Sequence, residues 1–125
     1  MIVDSSALVA IMNGEPEEDE FKATLARHHT RVSAVTAFET AIVLGATRHH
    51  LLDALLADAE LSVIAFDTTQ ARLAREAYAR FGKGTGSQAQ LNFGDCMAYA
   101  LAKATGEPLL FKGDDFTHTD VESAR

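Results

Sequence analysis

The sequence predicts an α/β fold, a three-layer α/β/α sandwich built on a central, mostly parallel sheet. Two observations carry that prediction. Short apolar runs of strand length alternate with longer segments whose apolar residues recur at helical spacing, the pattern of strands joined by helical crossovers. Two of the runs, LSVIAF and PLLF, are apolar rather than alternating, as strands covered by helices on both faces must be. With 125 residues and 47% hydrophobic content the chain has material for one core, so a single domain over residues 1–125 is expected.

Ile2 and Val3 read as a strand, and Asp4 follows at once. Ser5 to Met12 carries Leu8, Val9, Ile11 and Met12 at helical spacing, with Ser5 a candidate N-cap and Asn13-Gly14 as its end. Glu15 to His29 is a second helix, since Pro16 and the acids Glu17 to Glu20 suit the positive end of a helix dipole. Arg31 to Val35 is a short strand. Thr36 is placed to cap a third helix, with Glu39 in its first turn and Phe38, Ile42 and Val43 facing inward. A fourth helix is expected around Leu51 to Ala59, and Leu61 to Phe66 is the next strand. Asp67 or Thr68 then caps a helix running to about Phe81, and the glycine-rich GKGTGSQAQ, Gly82 to Gln90, is a loop. Asn92 opens a helix through Ala104 that Gly106 and Pro108 stop, and Leu109 to Phe111 is the last strand.

Composition excludes several function classes. No apolar stretch is long enough to span a bilayer, and nothing resembles a signal peptide, so a cytoplasmic location without membrane attachment is expected. The one cysteine, Cys96, makes neither an internal disulfide nor a zinc–thiolate cluster. A net charge of −7 opposes binding nucleic acid by neutralising its phosphates, unless some of the acids are gathered to hold divalent cations.

The placement of the acids favours such a gathering. In parallel sheets the ligand crevice lies beyond the carboxyl ends of the strands. Asp4 follows the first strand, Glu39 the second, and Asp114 and Asp115 the last, while Asp95 lies in the first turn of the preceding helix. Taken singly, Glu39 and Asp95 are explained by the helix dipole and Asp114-Asp115 by a turn. Taken together, each close pair repels by about 4 kcal/mol at 4 Å and an effective dielectric near 20, which capping does not offset. A hard divalent cation does, and carboxylates without His or Cys suit Mg²⁺ or Mn²⁺ and phosphate-ester chemistry rather than a zinc hydrolase.

Four segments carry a family resemblance: MIVDSSALVAI at the start, TAFETAIVL around Glu39, LNFGDCMAYALA around Asp95 and PLLFKGDDFTHTDV near the end. Together they resemble the PIN-domain ribonucleases, and most closely the VapC toxins of bacterial toxin–antitoxin pairs. The resemblance covers nearly the whole chain in order and implies a PIN-like fold and a Mg²⁺-dependent endoribonuclease, with Mn²⁺ able to substitute. It places the family's acids on Asp4, Glu39, Asp95 and, in the GDDF element, Asp115 ahead of Asp114. Asp4, Asp95 and Asp115 are then the expected metal ligands, and Glu39 binds a second metal or orients the water. Ser6 matches a small hydroxyl residue beside the first acid, for which two roles stay open, holding a metal-bound water or capping the helix. The resemblance further implies an RNA substrate, single-stranded or looped, a cognate VapB-type antitoxin and a homodimer. One departure is visible, Ser87-Gln88 standing where such toxins often have His-Pro.

Two other readings compete. An aspartyl-nucleophile phosphatase also begins with an Asp after its first strand, but it requires a second Asp two residues on, where this chain has Ser6. A non-catalytic PIN-like RNA-binding module is expected to have lost acids that are all present here. Of the remaining residues, the adjacent pairs His28-His29 and His49-His50 cannot both face one site from a helix, and His118 reads as a loop residue. GKGTG lacks the spacing of a phosphate-binding loop. Arg80, Lys83 and Lys112 are candidates for an RNA backbone, and Phe21, Leu25, Leu52, Leu55 and Leu56 are apolar residues for the core with some surplus for a dimer.

Overall fold

The computed structural model describes residues 1–125. The first strand, β1 (Ile2–Val3), lies inside the sheet, between β2 (Arg31–Ser33) and β4 (Leu109–Leu110), with β3 (Ser62–Ile64) outside β2. All pairings are parallel: Ile2 faces both Arg31 and Leu109, Val3 faces Leu110, and Val32 faces Val63. Because side chains alternate along a strand, β1 and β4 feed two cores. Ile2 and Leu109 pack on one face with residues of α5 (Thr68–Phe81) and α6 (Phe93–Thr105). Val3 and Leu110 pack on the other with α1 (Ser5–Met12) and α2 (Glu18–Arg27). The result is the expected three-layer α/β/α arrangement.

The remaining helices are α3 (Ala34–Leu44) and α4 (His49–Asp58), joined by a 3₁₀ turn over Ala46–Arg48. That turn is pinned to the end of α1, where Arg48 donates to Asn13 Oδ1 at 2.8 Å.

Several local expectations need correction. Asp4 rather than Ser5 caps α1, its carboxylate accepting from Ser6 N–H. Ser33 rather than Thr36 caps α3, so this helix begins before Thr36, and Glu39 falls in its second turn rather than its first. Phe38, Ile42 and Val43 do not face inward: they are 65%, 66% and 60% exposed. The α2 helix starts only at Glu18, after a turn. LSVIAF contributes only Ser62–Ile64 to the sheet, and Val63 is half exposed because β3 is an edge strand without a neighbour on one side. Phe21, Leu25 and Leu52 are buried, and Leu55 and Leu56 pack partly buried against the core, so the surplus apolar surface lies elsewhere. No helix is long and apolar enough to cross a membrane.

Candidate active site

The carboxyl edge of the sheet is where the chain turns from β1 into α1, from β2 into α3 and from β4 into the loop that carries Asp114 and Asp115. Asp4 sits at the first of these turns and is buried. Its Oδ2 accepts from Ser6 N–H at 3.0 Å and Ser6 Oγ–H at 2.6 Å. Its own N–H donates to Leu110 O at 2.9 Å, the next rung of the β1–β4 pairing. Ser6 Oγ in turn accepts from Lys112 N–H at 3.0 Å, so one hydroxyl ties the first acid to the backbone leading into the GDDF loop.

Asp95 is the third residue of α6 and closes a reciprocal cap with Asn92. Asn92 N–H donates to Asp95 Oδ2 at 2.9 Å, and Asp95 N–H donates to Asn92 Oδ1 at 2.8 Å. This box satisfies two helix-end donors and fixes the Asp95 side chain at the mouth of the site. The structural and the functional reading of Asp95 are therefore compatible, since capping occupies one carboxylate oxygen and leaves the other.

Glu39 differs. It stands beyond the first turn of α3, so the helix dipole does not account for it. Its carboxylate instead crosses to α6 and lies against Gly94, the residue before Asp95.

Electrostatics link the acids to each other. Burial raises the Asp4 carboxyl to about 6; the hydrogen bonds from Ser6 work against the rise and the charge of Glu39 adds to it. Burial likewise raises Asp95 to about 7, against the bond from Asn92, with further contributions from the charges of Asp4, Asp115 and Glu39. Of the two loop acids, Asp115 contributes to that rise. Both loop acids are exposed, while Phe116 beside them is buried and packs on Phe111 with ring centroids 5.0 Å apart, anchoring the loop.

Two oxygens of the cluster are buried without a hydrogen-bond donor: Asp4 Oδ1 and Glu39 Oε1. A buried carboxylate oxygen without a partner carries a full desolvation cost, which a cation removes. Donor set and orphaned oxygens fit a hard divalent ion. The side chains as they stand do not close into a ready cage of three ligands, an arrangement compatible with Mg²⁺, which keeps several of its own waters and takes few protein ligands directly.

Of the candidate RNA-contacting cations, Lys112 is engaged by Glu15 at 2.6 Å and Glu17 at 3.0 Å, and Arg80 by Asp120 at 3.5 Å. Lys83 makes no ion pair. Two of the histidines are engaged by helix carbonyls: His28 meets Thr24 O at 2.9 Å and His49 meets Ala41 O at 2.9 Å. The sequence reading passed over Gly94 and the reciprocal half of the Asn92–Asp95 cap. The spacing N-x-x-D at a helix start was a signal for the cap, whereas nothing local marks Gly94.

Comparison with known proteins places the chain in a family. The family model described as PIN domain matches residues 1–122. The chain belongs to the PIN-domain family. Among PIN-domain proteins it is similar to ribonuclease VapC42 of Mycobacterium tuberculosis, at 46% identity with 99% of this chain and 98% of the relative covered. It is also 47% identical to ribonuclease VapC28 of the same organism, covering 99% of this chain and 97% of that protein. Among solved structures, Mycobacterium tuberculosis VapC20, described as a sarcin–ricin loop cleaving toxin, superposes with a TM-score of 0.79 at 18% identity over 99% of this chain and 98% of that one. A toxin–antitoxin complex from Klebsiella pneumoniae gives 0.69 at 17% identity over 95% and 92%. These two structural likenesses show that the PIN fold is shared.

Proposed function

We propose that this PIN-domain protein is a divalent-metal-dependent endoribonuclease, the toxin of a type II toxin–antitoxin pair, acting in the cytoplasm on single-stranded or looped RNA. The observation that carries the reading is the pair of unpartnered buried oxygens, Asp4 Oδ1 and Glu39 Oε1, in a cluster of mutually repelling acids. Near-full-length identity of 43–47% to proteins named as VapC ribonucleases supports the activity.

Asp4, Asp95 and Asp115 would hold Mg²⁺, or Mn²⁺ in its place, directly or through water, with Glu39 as a further ligand or the group that orients the attacking water. Bound there, the ion would supply a Lewis acid that activates water at neutral pH and offsets the charge of the scissile phosphodiester and its leaving oxygen. The protein's own part is positional. Ser6 fixes the rotamer of Asp4, Asn92 fixes that of Asp95, and the Phe111–Phe116 pair seats the loop bearing Asp115.

The partners follow the same reading: a cognate VapB-type antitoxin and a second copy of the chain. For the second copy the supporting surface is the apolar stripe of Val35, Phe38 and Ile42 on α3, which runs into a concavity of about 720 Å³ lined by Val35, Phe66, Tyr78, Phe93 and Met97 among others. Phe93 is 74% exposed there, and exposed apolar patches of this kind mark association surfaces.

The test is RNA cleavage by Asp4→Asn and Asp95→Asn in Mg²⁺, with circular dichroism as the control for folding. Each substitution keeps side-chain size and removes one charge, and a loss of at least about a hundredfold is expected. Wild-type cleavage by either folded variant overturns the site.

A further inference from the structure

Glu39 reaches the acidic cluster through a space that one missing side chain leaves open. A Cβ built on Gly94 would stand 1.6 Å from Glu39 Oε2 and 2.5 Å from its Cδ. Non-bonded heavy atoms do not approach so closely, so the Glu39 carboxylate in this position and any side chain at residue 94 exclude each other. Backbone geometry does not explain the glycine. Gly94 is absent from the residues with positive φ and lies within the first turn of α6, where alanine is the better helix former. The colliding atoms are the end of a flexible side chain, whereas Gly94 is buried in a capped helix. An alanine there is therefore accommodated by Glu39 swinging off the turn, which leaves the fold in place and removes an acid from the cluster.

We propose that Gly94 is a positioning residue: the space above its Cα seats the Glu39 carboxylate against the first turn of α6, beside Asp95, and so completes the acidic site. This rests on the metal-dependent nuclease reading given above. It assigns a role to the glycine of the NFGD segment that acts only through Glu39.

The experiment is a double-mutant cycle on the full chain with Gly94→Ala, Glu39→Ala and the two combined, read by calorimetric titration of the metal-free proteins with Mn²⁺ and by thermal melting. Gly94→Ala should fold, melt without metal at or above the wild-type temperature, and bind Mn²⁺ about tenfold more weakly. Glu39→Ala should weaken binding to a similar extent, and the combined variant no further than Glu39→Ala alone. Wild-type affinity in Gly94→Ala, or losses that add in the combined variant, overturn the proposal. Failure of Gly94→Ala to fold overturns it as well, because the glycine would then be a requirement of the fold. A wild-type chain that neither binds Mn²⁺ nor cleaves RNA removes the nuclease reading itself, an outcome distinct from a wild type that binds and a Gly94→Ala that binds equally.

Discussion

Asp4 does two things with one carboxylate. One oxygen takes both hydrogen bonds from Ser6 and starts α1, and the other is left buried and unmatched. Asp95 divides its oxygens in a similar way, with the cap to Asn92 on one of them. Capping and catalysis are therefore not rival explanations for an acid at a helix start. In the GDDF loop the distinction falls between neighbours, and it favours Asp115, whose charge contributes to the raised carboxyl of Asp95. Asp115→Asn should accordingly lower RNA cleavage by about tenfold or more relative to Asp114→Asn, measured side by side in Mg²⁺; the reverse order would move the fourth site position to Asp114. At this scale Asp4 and Asp95 were legible in the sequence because they stand at a strand end and a helix start, which local pattern marks. Gly94 was not, since its significance is a contact with a residue far away in the chain, and a helical glycine carries no local sign of what passes over it.

Among the elements, α3 shows most clearly where sequence reasoning stops. Ser33 and Thr36 are both good capping residues, and the choice between them decided whether Glu39 belonged to the first turn. The expectation that Phe38, Ile42 and Val43 point inward failed because apolar residues are not confined to interiors. That face of the helix is free in the single chain. If a second copy covers it, Phe38→Glu combined with Ile42→Glu should halve the apparent mass in sedimentation or light scattering while leaving the helical signal unchanged. An unaltered mass would mean that the chains associate through another face or not at all. The strand before α3 is shorter than the expected Arg31–Val35, because Ala34 and Val35 already belong to α3 and only Arg31–Ser33 pair, whereas α6 followed its pattern closely, with the Asn92 start and Gly106 stop both in place.

For the molecule as a whole, the order of the elements was readable from the alternation of apolar runs, but the sheet order β3-β2-β1-β4 is set by pairings that no local pattern contains. The acid cluster also gives the molecule a characteristic response to pH. Asp4 and Asp95 titrate near 6 and 7 in the folded chain, above the ordinary carboxylate value. Between about pH 4 and 7 the folded, metal-free chain thus binds more protons than the unfolded one, and its stability falls as pH rises through that window. For Asp4 alone the loss amounts to about 3 kcal/mol. Melting of the metal-free protein should drop by several degrees between pH 5 and 7.5, Asp4→Asn should flatten the slope, and Mn²⁺ should restore stability at the upper end. A metal-free chain that gains stability over this interval, with Asp4→Asn behaving alike, would contradict the assignment. The central position of β1 has another consequence, one that concerns time. Asp4 is made long before its partners: its N–H awaits Leu110 O, Ser6 Oγ awaits the N–H of Lys112, 106 residues further along the chain, and Asp115 comes later still. Loop closure over such a separation is the slow part of forming a parallel sheet. A nascent chain thus carries Asp4 without a site to put it in while the 106 residues between Ser6 and Lys112 are made, which at roughly 5–20 residues per second takes on the order of 5 to 20 seconds. The cell that makes this protein has that interval before the chain becomes competent.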